Sequence, residues 1–393
     1  MMFGHQHRGP TGPRRGFALM MALGALVIIA VLIAGSSYLG LQESRLGQNQ
    51  LVQSRAAATA EYGLNKIQAD WDKTPNLQMV NGASFDMSYT LTGQGTADVR
   101  ITRLNNETFW LVSTGRATIG SAGQQRTAVK RVGAVLRLRI PSIKADAAFT
   151  TAGDVKTQGS PKVIGQNTVP PGWTGCAANG SPDTLSKPGI VASPDATVSI
   201  GNAKHVTGAP TSVVRDTVAG KAETYVQYGD ENWAALVAQA TDITGVSGND
   251  IGPVASGGYC DKSIKTNWGE PSRASGYKAE CINYFPILYT KGNLHLNGNG
   301  RGQGILLVEG DFKVNGTFDF FGLIIVSGKV EAGNGTASIY GGIMAASASL
   351  TTDSTSSFSG TVDINYSQCG LERAMRGSAQ VTQARERAWA ELY

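Results

Sequence analysis

The sequence is poor in charged residues and in histidine, and each shortage argues against a class of protein. Only 16% of the 393 residues are charged, and the formal net charge is +5. A chain so close to neutrality lacks the strongly basic surface of nucleic-acid-binding proteins, and we expect no nucleic-acid partner. Beyond the first sixteen residues the only histidines are His205 and His295, and no Gly-x-Ser-x-Gly elbow accompanies them. A nucleophilic triad therefore has little to be built from, and we predict no catalytic residues, no enzymatic activity and no cofactor.

Cysteine is equally scarce. The four cysteines include no Cys-x-x-Cys pair, which argues against a structural zinc site, and we expect no bound metal. An even number of cysteines in an oxidising compartment favours two disulfides, and four cysteines allow three pairings. Cys260 and Cys281 flank one loop rich in glycine and serine, so we favour that pair. Cys176 and Cys369 then form the remaining pair.

A long hydrophobic run dominates the N-terminus. No charged residue occurs from Phe17 to Leu41, and Glu43 is the first acidic residue of the chain. Twenty-five helical residues span about 37 Å, enough to cross a hydrocarbon core of about 30 Å. Arg8, Arg14 and Arg15 precede the run, and positive charge is retained on the cytoplasmic side of a membrane. We therefore expect a single membrane pass with the C-terminal bulk outside the cytoplasm.

The residues that precede the run suggest a processing site. A secretory signal peptide is one alternative, because Ala34-Gly35-Ser36 offers the small residues of a cleavage site, although it follows an unusually long apolar region. A short basic leader that ends in Gly16, followed by Phe17 and an unbroken apolar helix, instead resembles the N-terminus of a type IV prepilin. The resemblance implies that a prepilin peptidase cuts the Gly16–Phe17 bond and removes residues 1–16 as a leader.

One residue departs from the pattern of major pilins. Those proteins carry a glutamate at the fifth mature position, where this chain has Met21. The missing glutamate resembles the PilX-type and GspK-type minor subunits, and the run RAAATAEYGL over 55–64 is also similar to PilX-like pilus assembly proteins. The resemblance implies that the N-terminal helix packs against other pilins or pseudopilins. It also implies a place in the bacterial inner membrane, or on a pilus at the cell surface.

Apolar spacing extends the helix beyond the membrane run. Apolar residues recur three and four positions apart between 42 and 73, so 17–73 is predicted to be one transmembrane and amphipathic helix that ends before Pro75. Alternation at a spacing of two residues then predicts an antiparallel β-meander of four strands over 84–140. A long helix followed by such a meander is similar to the α+β plan of pilins.

The second half of the chain repeats strand–turn–strand units of about 20 residues. Apolar runs that begin at Gly304, Gly322 and Gly342 start 18 and then 20 residues apart. We interpret 147–370 as a parallel β-helix whose strands are buried on both faces, with a helical insertion near 230–240. A β-sandwich is the alternative, although it would show more tight hairpins. The segment also resembles a β-helical domain that often follows PilX-like N-termini.

The expected fold class is mainly β with a long N-terminal transmembrane helix, in which a pilin-like α+β unit precedes a parallel β-helix. A basic C-terminal helix is expected over 371–393. The expected function is that of a structural minor subunit for assembly or surface contact of a type IV pilus or related secretion machine. The alternative is a membrane-anchored envelope protein whose β-helix binds or cleaves glycan. The candidate carboxylates for that alternative are Asp311, Asp319, Glu331, Asp353 and Asp363.

Overall fold

The computed structural model is mostly β, with one long apolar helix at its N-terminus. It describes residues 15–71, 74–76, 79–121, 123, 125–176, 185–228, 231–247, 251–272, 276–332, 335–345, 355–358, 361–383 and 389–392. The long helix, α1 (Arg15–Ala69), has 55 residues and is therefore about 80 Å long.

The helix α1 ends four residues before the predicted limit of 73. Asp70 still donates its amide to the Lys66 carbonyl. The carbonyl of Trp71 then accepts hydrogen bonds from the side chains of Thr74 and Asn76. These side chains take the place of the next helical donors, so the backbone leaves the helix before Pro75.

Four strands pack beside the second half of α1. They are β1 (Ser84–Leu91), β2 (Gly95–Arg103), β3 (Thr108–Ile119) and β4 (Arg126–Arg139). Each is antiparallel to its neighbour in sequence, over the residues for which two-residue alternation predicts strands. Alternate side chains, including Val99, Leu111 and Leu136, are buried in one cluster with Leu64 and Ile67 of the helix. This antiparallel sheet and the helix thus share a core.

The described residues in the middle of the chain supply many short strands and three further helices. The strands are β5 (Phe149–Thr151), β6 (Asp154–Thr157), β7 (Lys162–Ile164), β8 (Ile190–Ala192), β9 (Val198–Ile200), β10 (Val206–Thr207), β11 (Val213–Arg215), β12 (Gln227–Tyr228), β13 (Glu231–Asn232), β14 (Thr241–Asp242), β15 (Ala255–Ser256), β16 (Tyr259–Cys260), β17 (Ile287–Thr290), β18 (Leu294–Leu296), β19 (Gly300–Val308), β20 (Phe312–Val314), β21 (Thr317–Val326), β22 (Val330–Ala332), β23 (Thr336–Ala345), β24 (Thr355–Phe358) and β25 (Thr361–Tyr366). The helices are α2 (Glu223–Val226), α3 (Trp233–Gln239) and α4 (Gln368–Gly377), and single 3-10 turns lie at Ala203–His205, Thr217–Gly220 and Ala279–Cys281.

Most of these strands belong to two parallel sheets. The larger sheet runs in the order β14-β17-β19-β21-β23-β25-β7-β10, with β5, β8 and β11 branching from β23. The smaller sheet runs in the order β18-β20-β22-β24-β6-β9. From β17 to β25 successive strands alternate between the two sheets, whereas β12–β13 and β15–β16 are separate two-stranded pairs.

Glycines set the register of the larger sheet. Gly304 pairs with Gly322, and Gly322 pairs with Gly341. The expected third repeat start, Gly342, is therefore late by one residue. The φ angle of Gly341 is +151°, and a β-carbon there would overlap the backbone of Gly322 in the neighbouring strand. Only glycine fits a positive φ with so close an approach, so Gly341 occupies the repeat position.

The order of strands in space differs from their order in the chain. The chain first adds β5 and β7 to the interior of the larger sheet and β6 to the interior of the smaller one. It then moves outward to β10 and β9, which are edge strands of these two sheets. It then crosses to the opposite edge at β14 and β17 and builds back until β25 pairs with β7. The last repeat therefore closes against the first strands that entered.

The apolar ends of the long strands are buried on both faces. Residues 305–308 and 323–326 are each at most 1% exposed. All eight residues belong to the largest core cluster, which also contains Leu236 of α3. The helix α4 packs against β19, β21 and β23, where Ala374 lies in a smaller cluster with Phe285 and Phe321.

The C-terminal segment is not the basic helix expected over 371–393. The helix α4 ends at Gly377, and β26 (Gln380–Gln383) and β27 (Trp389–Leu392) then pair in succession with β4. Without them β4 would present 14 residues of unpaired edge, so non-local backbone pairing overrides the local helical pattern. The parallel sheets are thus inserted between β4 and the last strands of the antiparallel sheet.

Candidate functional site

The first half of α1 exposes its apolar side chains. Leu19–Ala69 is the helix, among the described residues, that is long and apolar enough to cross a membrane. Leu23, Val27 and Val31 are 55%, 60% and 65% exposed, respectively. Apolar surface costs about 25 cal/mol per Å² in water, so this segment is suited to an apolar environment.

The predicted processing bond lies at the start of this helix. Because α1 begins at Arg15, the bond between Gly16 and Phe17 lies in its first turn. Met21, at the position of the missing pilin glutamate, follows about one turn later and is 63% exposed. A methionine carries no charge, so this turn offers no carboxylate there to a neighbouring amine.

The second half of α1 lies very close to the antiparallel sheet. A β-carbon on Gly63 would lie 2.8 Å from the β-carbon of Ala97, and one on Gly115 would overlap the backbone of Ala56 and Ala60. Glycine and alanine on both elements remove the side-chain layer that usually separates a helix from a sheet. The position of the exposed half of α1 relative to the sheet is therefore set by near-backbone contact.

Two disulfides tie the inserted part together. Cys176 is bonded to Cys369 and Cys260 to Cys281, with Cα–Cα distances of 5.6 and 4.9 Å. This is the pairing favoured from the sequence. The first bond joins the start of α4 to a loop 193 residues earlier. Arg373 of α4 lies over the Trp173 ring, 4.7 Å from its centroid, so this arginine is packed rather than solvated.

An ion pair joins the antiparallel sheet to the inserted part. Arg139, the last residue of β4, contacts the carboxylate of Glu231 in β13. Glu231 is only 5% exposed, and its second oxygen has no hydrogen-bond partner among the described residues. Arg139 thus supplies the compensating positive charge for a buried carboxylate.

A groove lies on the outer side of the larger sheet, where the long strands begin. Its volume is about 390 Å³, and it is lined by Pro171, Gly172, Pro271, Ser272, Arg301, Asp319, Phe321, Ser338 and Tyr340. The parallel register arranges the strand residues of this region in two rows, each of which contributes some of the lining side chains. One row contains Arg301, Asp319, Ser338 and Asp363. The other row contains Gln303, Phe321, Tyr340 and Asn365.

The charges in the groove are fixed by hydrogen bonds. Arg301 donates to Glu270 over 2.8 Å, and the Glu270 side chain is fully buried. Burial raises the pKa of Asp319, against the hydrogen bond from Ser338 and the attraction of Arg301, which both lower it. The protein therefore holds one cation and one partly desolvated carboxylate side by side.

The candidate carboxylates do not converge on one catalytic pair. Asp319 and Asp363 share a row of the larger sheet, two strands apart, and Asp363 lies 3.9 Å from the Lys162 ammonium. Asp311 and Glu331 lie on the side of the smaller sheet. Asp311 accepts the amide of Lys329, and Glu331 pairs with the ammonium of that same lysine. The remaining candidate, at position 353, lies outside the described residues.

His205 and His295 take no part in a shared site. His205 lies in a 3-10 turn, where one ring nitrogen is 3.2 Å from the Asn202 amide. His295 is an exposed residue of β18. In the described part of the chain no group of three or more His, Cys, Asp or Glu side chains could hold a metal ion.

Sequence reasoning did not single out most of the groove. It named Asp319 as one of five scattered acids and did not name Arg301, which belongs to β19. The residues just before each of the glycines that pair between neighbouring strands could have indicated the groove. Arg301 and Gln303 lie three positions and one position before Gly304. Asp319 and Phe321 lie three positions and one position before Gly322. Aligning the repeats on their glycines would have stacked these side chains.

These features define a mainly β protein with parallel and antiparallel sheets, two disulfides and one N-terminal helix suited to a membrane. The helix is continuous with the folded part, because its second half forms part of the antiparallel sheet's core. The chain matches no protein-family model, no curated protein and no solved structure.

Proposed function

We propose that this chain is a minor pilin-like subunit of a type IV pilus or a related secretion machine, with a structural role. One observation supports this most directly. A single uninterrupted helix has an exposed apolar first half and a second half that packs closely on an antiparallel sheet. Such a helix serves as an anchor in the bacterial inner membrane and then as a packing element among the helices of other pilins or pseudopilins.

The helix surface supports close packing with such partners. Gly24, Gly35 and Gly40 each have nothing within 4 Å of the place where a β-carbon would lie. Small residues let helices approach closely in lipid, where van der Waals contact drives association. Met21 gives the helix no acid for pairing with a neighbouring amine, so a role at an end of a filament suits the chain better than a repeated place along the shaft.

We further propose that the two parallel sheets are two faces of a β-helix. Strands β17 to β25 alternate between the sheets, and their partners lie about one repeat apart in sequence, as successive coils require. The β-helix joins the antiparallel sheet through β4 at both ends and through the Arg139–Glu231 pair. It projects from the membrane as a disulfide-linked module for assembly or surface contact.

Processing of the N-terminus tests the proposal. The full chain is co-expressed with a prepilin peptidase in a bacterium, and intact-mass spectrometry of the membrane fraction identifies the first residue. We expect a chain that begins at Phe17. We expect a Gly16→Trp variant to keep residues 1–16, because a bulky side chain blocks the scissile position, while the control variant Gly9→Ala is cut normally.

Two other outcomes would overturn the proposal. A chain that keeps its first residues beside an active peptidase would instead be a stationary membrane-anchored envelope protein. A chain that begins near Ser36 would be the product of a signal peptidase, and its β-rich part would be released from the membrane.

A further inference from the structure

The groove on the larger sheet has the dimensions of a ligand pocket and lies apart from the N-terminal helix. Ligand pockets typically enclose about 300–1,000 Å³, and this groove encloses about 390 Å³. Its floor consists of the neighbouring strands β19, β21 and β23, and its walls come from residues 171–172 and 271–272. The proposed pilin-like role does not use it.

Stacked aromatic rings support one side of the groove. Trp173 stacks on Phe321 with ring centroids 5.5 Å apart, and Phe321 stacks on Tyr340 at 4.9 Å. Trp173 and Phe321 are buried, whereas Tyr340 is partly exposed. The indole of Trp173 donates to the Pro271 carbonyl over 2.8 Å, which fixes the stack to the groove wall. The rings therefore form a rigid apolar surface.

Polar groups stand beside the aromatic stack in the same groove. Asp319 offers carboxylate oxygens, Ser338 a hydroxyl and Arg301 a guanidinium. The Arg301 Nε has no hydrogen-bond partner among the described residues. Glu270, which accepts from Arg301, also accepts the amides of Ser272 and Lys278, so the arginine is held against a fixed partner. The groove thus combines donors and acceptors held in place before a ligand arrives.

The charges around the groove argue against an anionic ligand. Arg301 and Asp319 are the charged residues in the groove lining, and Arg301 is already paired with the buried carboxylate of Glu270. The lining therefore holds no unpaired positive charge for an anion. A peptide that adds to a sheet needs an unpaired strand edge, whereas this groove lies on the face of paired strands.

We propose that this groove binds a neutral saccharide, with the partly exposed ring of Tyr340, backed by Phe321, against the apolar face of a sugar ring. Asp319 and the Ser338 hydroxyl oxygen accept hydrogen bonds from sugar hydroxyls, and Arg301 donates to sugar oxygens. Sugars combine an apolar face with dense hydroxyls, which matches the aromatic and polar sides of the groove. This inference does not depend on the pilin-like function, because the groove lies far along the chain from the N-terminal processing bond.

Binding of neutral trisaccharides to the full chain tests the proposal. The protein is purified in lauryldimethylamine oxide, a detergent without a sugar headgroup. Maltotriose, cellotriose and triacetylchitotriose are titrated and followed by saturation-transfer NMR, with sialyllactose and trigalacturonate as charged probes. We expect saturable binding of at least one neutral probe and none of the charged probes.

Variants test whether the groove carries the binding. Asp319→Asn is expected to weaken binding about tenfold, the effect of losing a hydrogen bond to a charged group. Tyr340→Ala is expected to abolish binding, while Tyr340→Phe keeps the ring and most of the affinity. Tyr259→Ala and Asp242→Asn are the matched controls, because Tyr259 is an exposed ring outside the groove and Asp242 an exposed carboxylate outside it.

Several results would overturn the proposal. These are no saturable binding of any neutral probe, stronger binding of a charged probe, or unchanged binding in both Asp319→Asn and Tyr340→Ala. Because Asp319→Asn is expected to leave the fold intact, loss of binding in that variant cannot be attributed to unfolding. Thermal unfolding of each variant, recorded in the same detergent, checks this point.

Discussion

Gly115 of β3 lies directly against the backbone of Ala60 in α1, with no side chain between the sheet and the helix. The β-carbon of Ala60 would be only 2.9 Å from a β-carbon placed on Gly115. The antiparallel sheet and the long helix therefore meet at near-backbone distance. This contact decides where the exposed apolar half of α1 projects from the folded part.

Substitution of Gly115 is expected to separate the helix from the sheet. Gly115→Ala should lower the free energy of unfolding by at least about 2 kcal/mol, because neither backbone can move aside cheaply. Gly47→Ala in α1 is the control, because nothing lies near the added carbon there and helix propensity favours alanine by up to about 1 kcal/mol. Thermal unfolding in detergent, followed by near-UV circular dichroism, measures both. Equal stability of the two variants would contradict the packing described.

Loss of Arg139 is expected to leave Glu231 buried without a positive partner. Arg139→Ala should cost about 1–3 kcal/mol, the penalty of an unsatisfied buried polar group. Arg137→Ala is the control on the same strand, because its pair with Glu107 is exposed on both sides and worth at most about 1 kcal/mol. Adding Glu231→Gln to the Arg139→Ala variant should recover part of the loss. A double-mutant cycle on the unfolding free energies measures the coupling between Arg139 and Glu231. An absence of coupling would contradict the prediction.

The raised pKa of Asp319 makes its contribution to stability depend on pH. A carboxyl whose folded pKa exceeds the unfolded value contributes most at low pH, and the contribution is lost as pH rises through the folded pKa. Asp319→Asn should therefore be more stable than the wild type near neutrality. The two proteins should converge below pH 3.8, the ordinary pKa of the group. Chemical unfolding at both pH values gives the comparison.

Asp242 provides a control of opposite sign for that experiment. Hydrogen bonds from the Thr244 side chain and backbone lower the pKa of Asp242. Asp242→Asn should therefore be less stable than the wild type near neutrality, and the difference should disappear in acid. A pH dependence of the same sign in both variants would refute the assignment for Asp319.

The two disulfides are expected to stabilise the chain unequally. They join residues 193 and 21 positions apart, and chain-entropy arguments give about 5 and about 3 kcal/mol for loops of these lengths. Replacing Cys176 and Cys369 by serine should therefore lower the unfolding temperature more than replacing Cys260 and Cys281. Calorimetry of the two double variants tests the order. The reverse order would show that local packing, rather than loop length, dominates.

Local patterns predicted much of the architecture. The apolar run, the three- and four-residue spacing that continues it, and the two-residue alternation over 84–140 correspond to α1 and to strands β1–β4. The repeats that start at Gly304 and Gly322 are in register in the structure. Each of these features depends on neighbours a few residues away, or on a repeat that brings like residues together.

Other features lay beyond any local pattern. Arg301, Ser338 and Tyr340 form one groove only because three parallel strands align in a single register. The same holds for the wall at 271–272 and for Trp173, which come from distant loops. Sequence analysis named Asp319 but did not align the repeats residue by residue, which would have placed Arg301 and Ser338 beside it.

The sequence by itself determined that a helix suited to a membrane lies near the N-terminus, and that an antiparallel sheet and then repeated strands follow it. The spacing of apolar residues and the length of each apolar run decide these properties, and both can be read from residues close together in the chain. Only the tertiary structure decided that β25 closes against β7 and that β26 and β27 complete the antiparallel sheet through β4. Backbone hydrogen bonds between strands do not depend on which side chains the strands carry, so the sequence alone does not show which strands pair. An unpaired strand edge accepts whichever segment the rest of the fold brings to it.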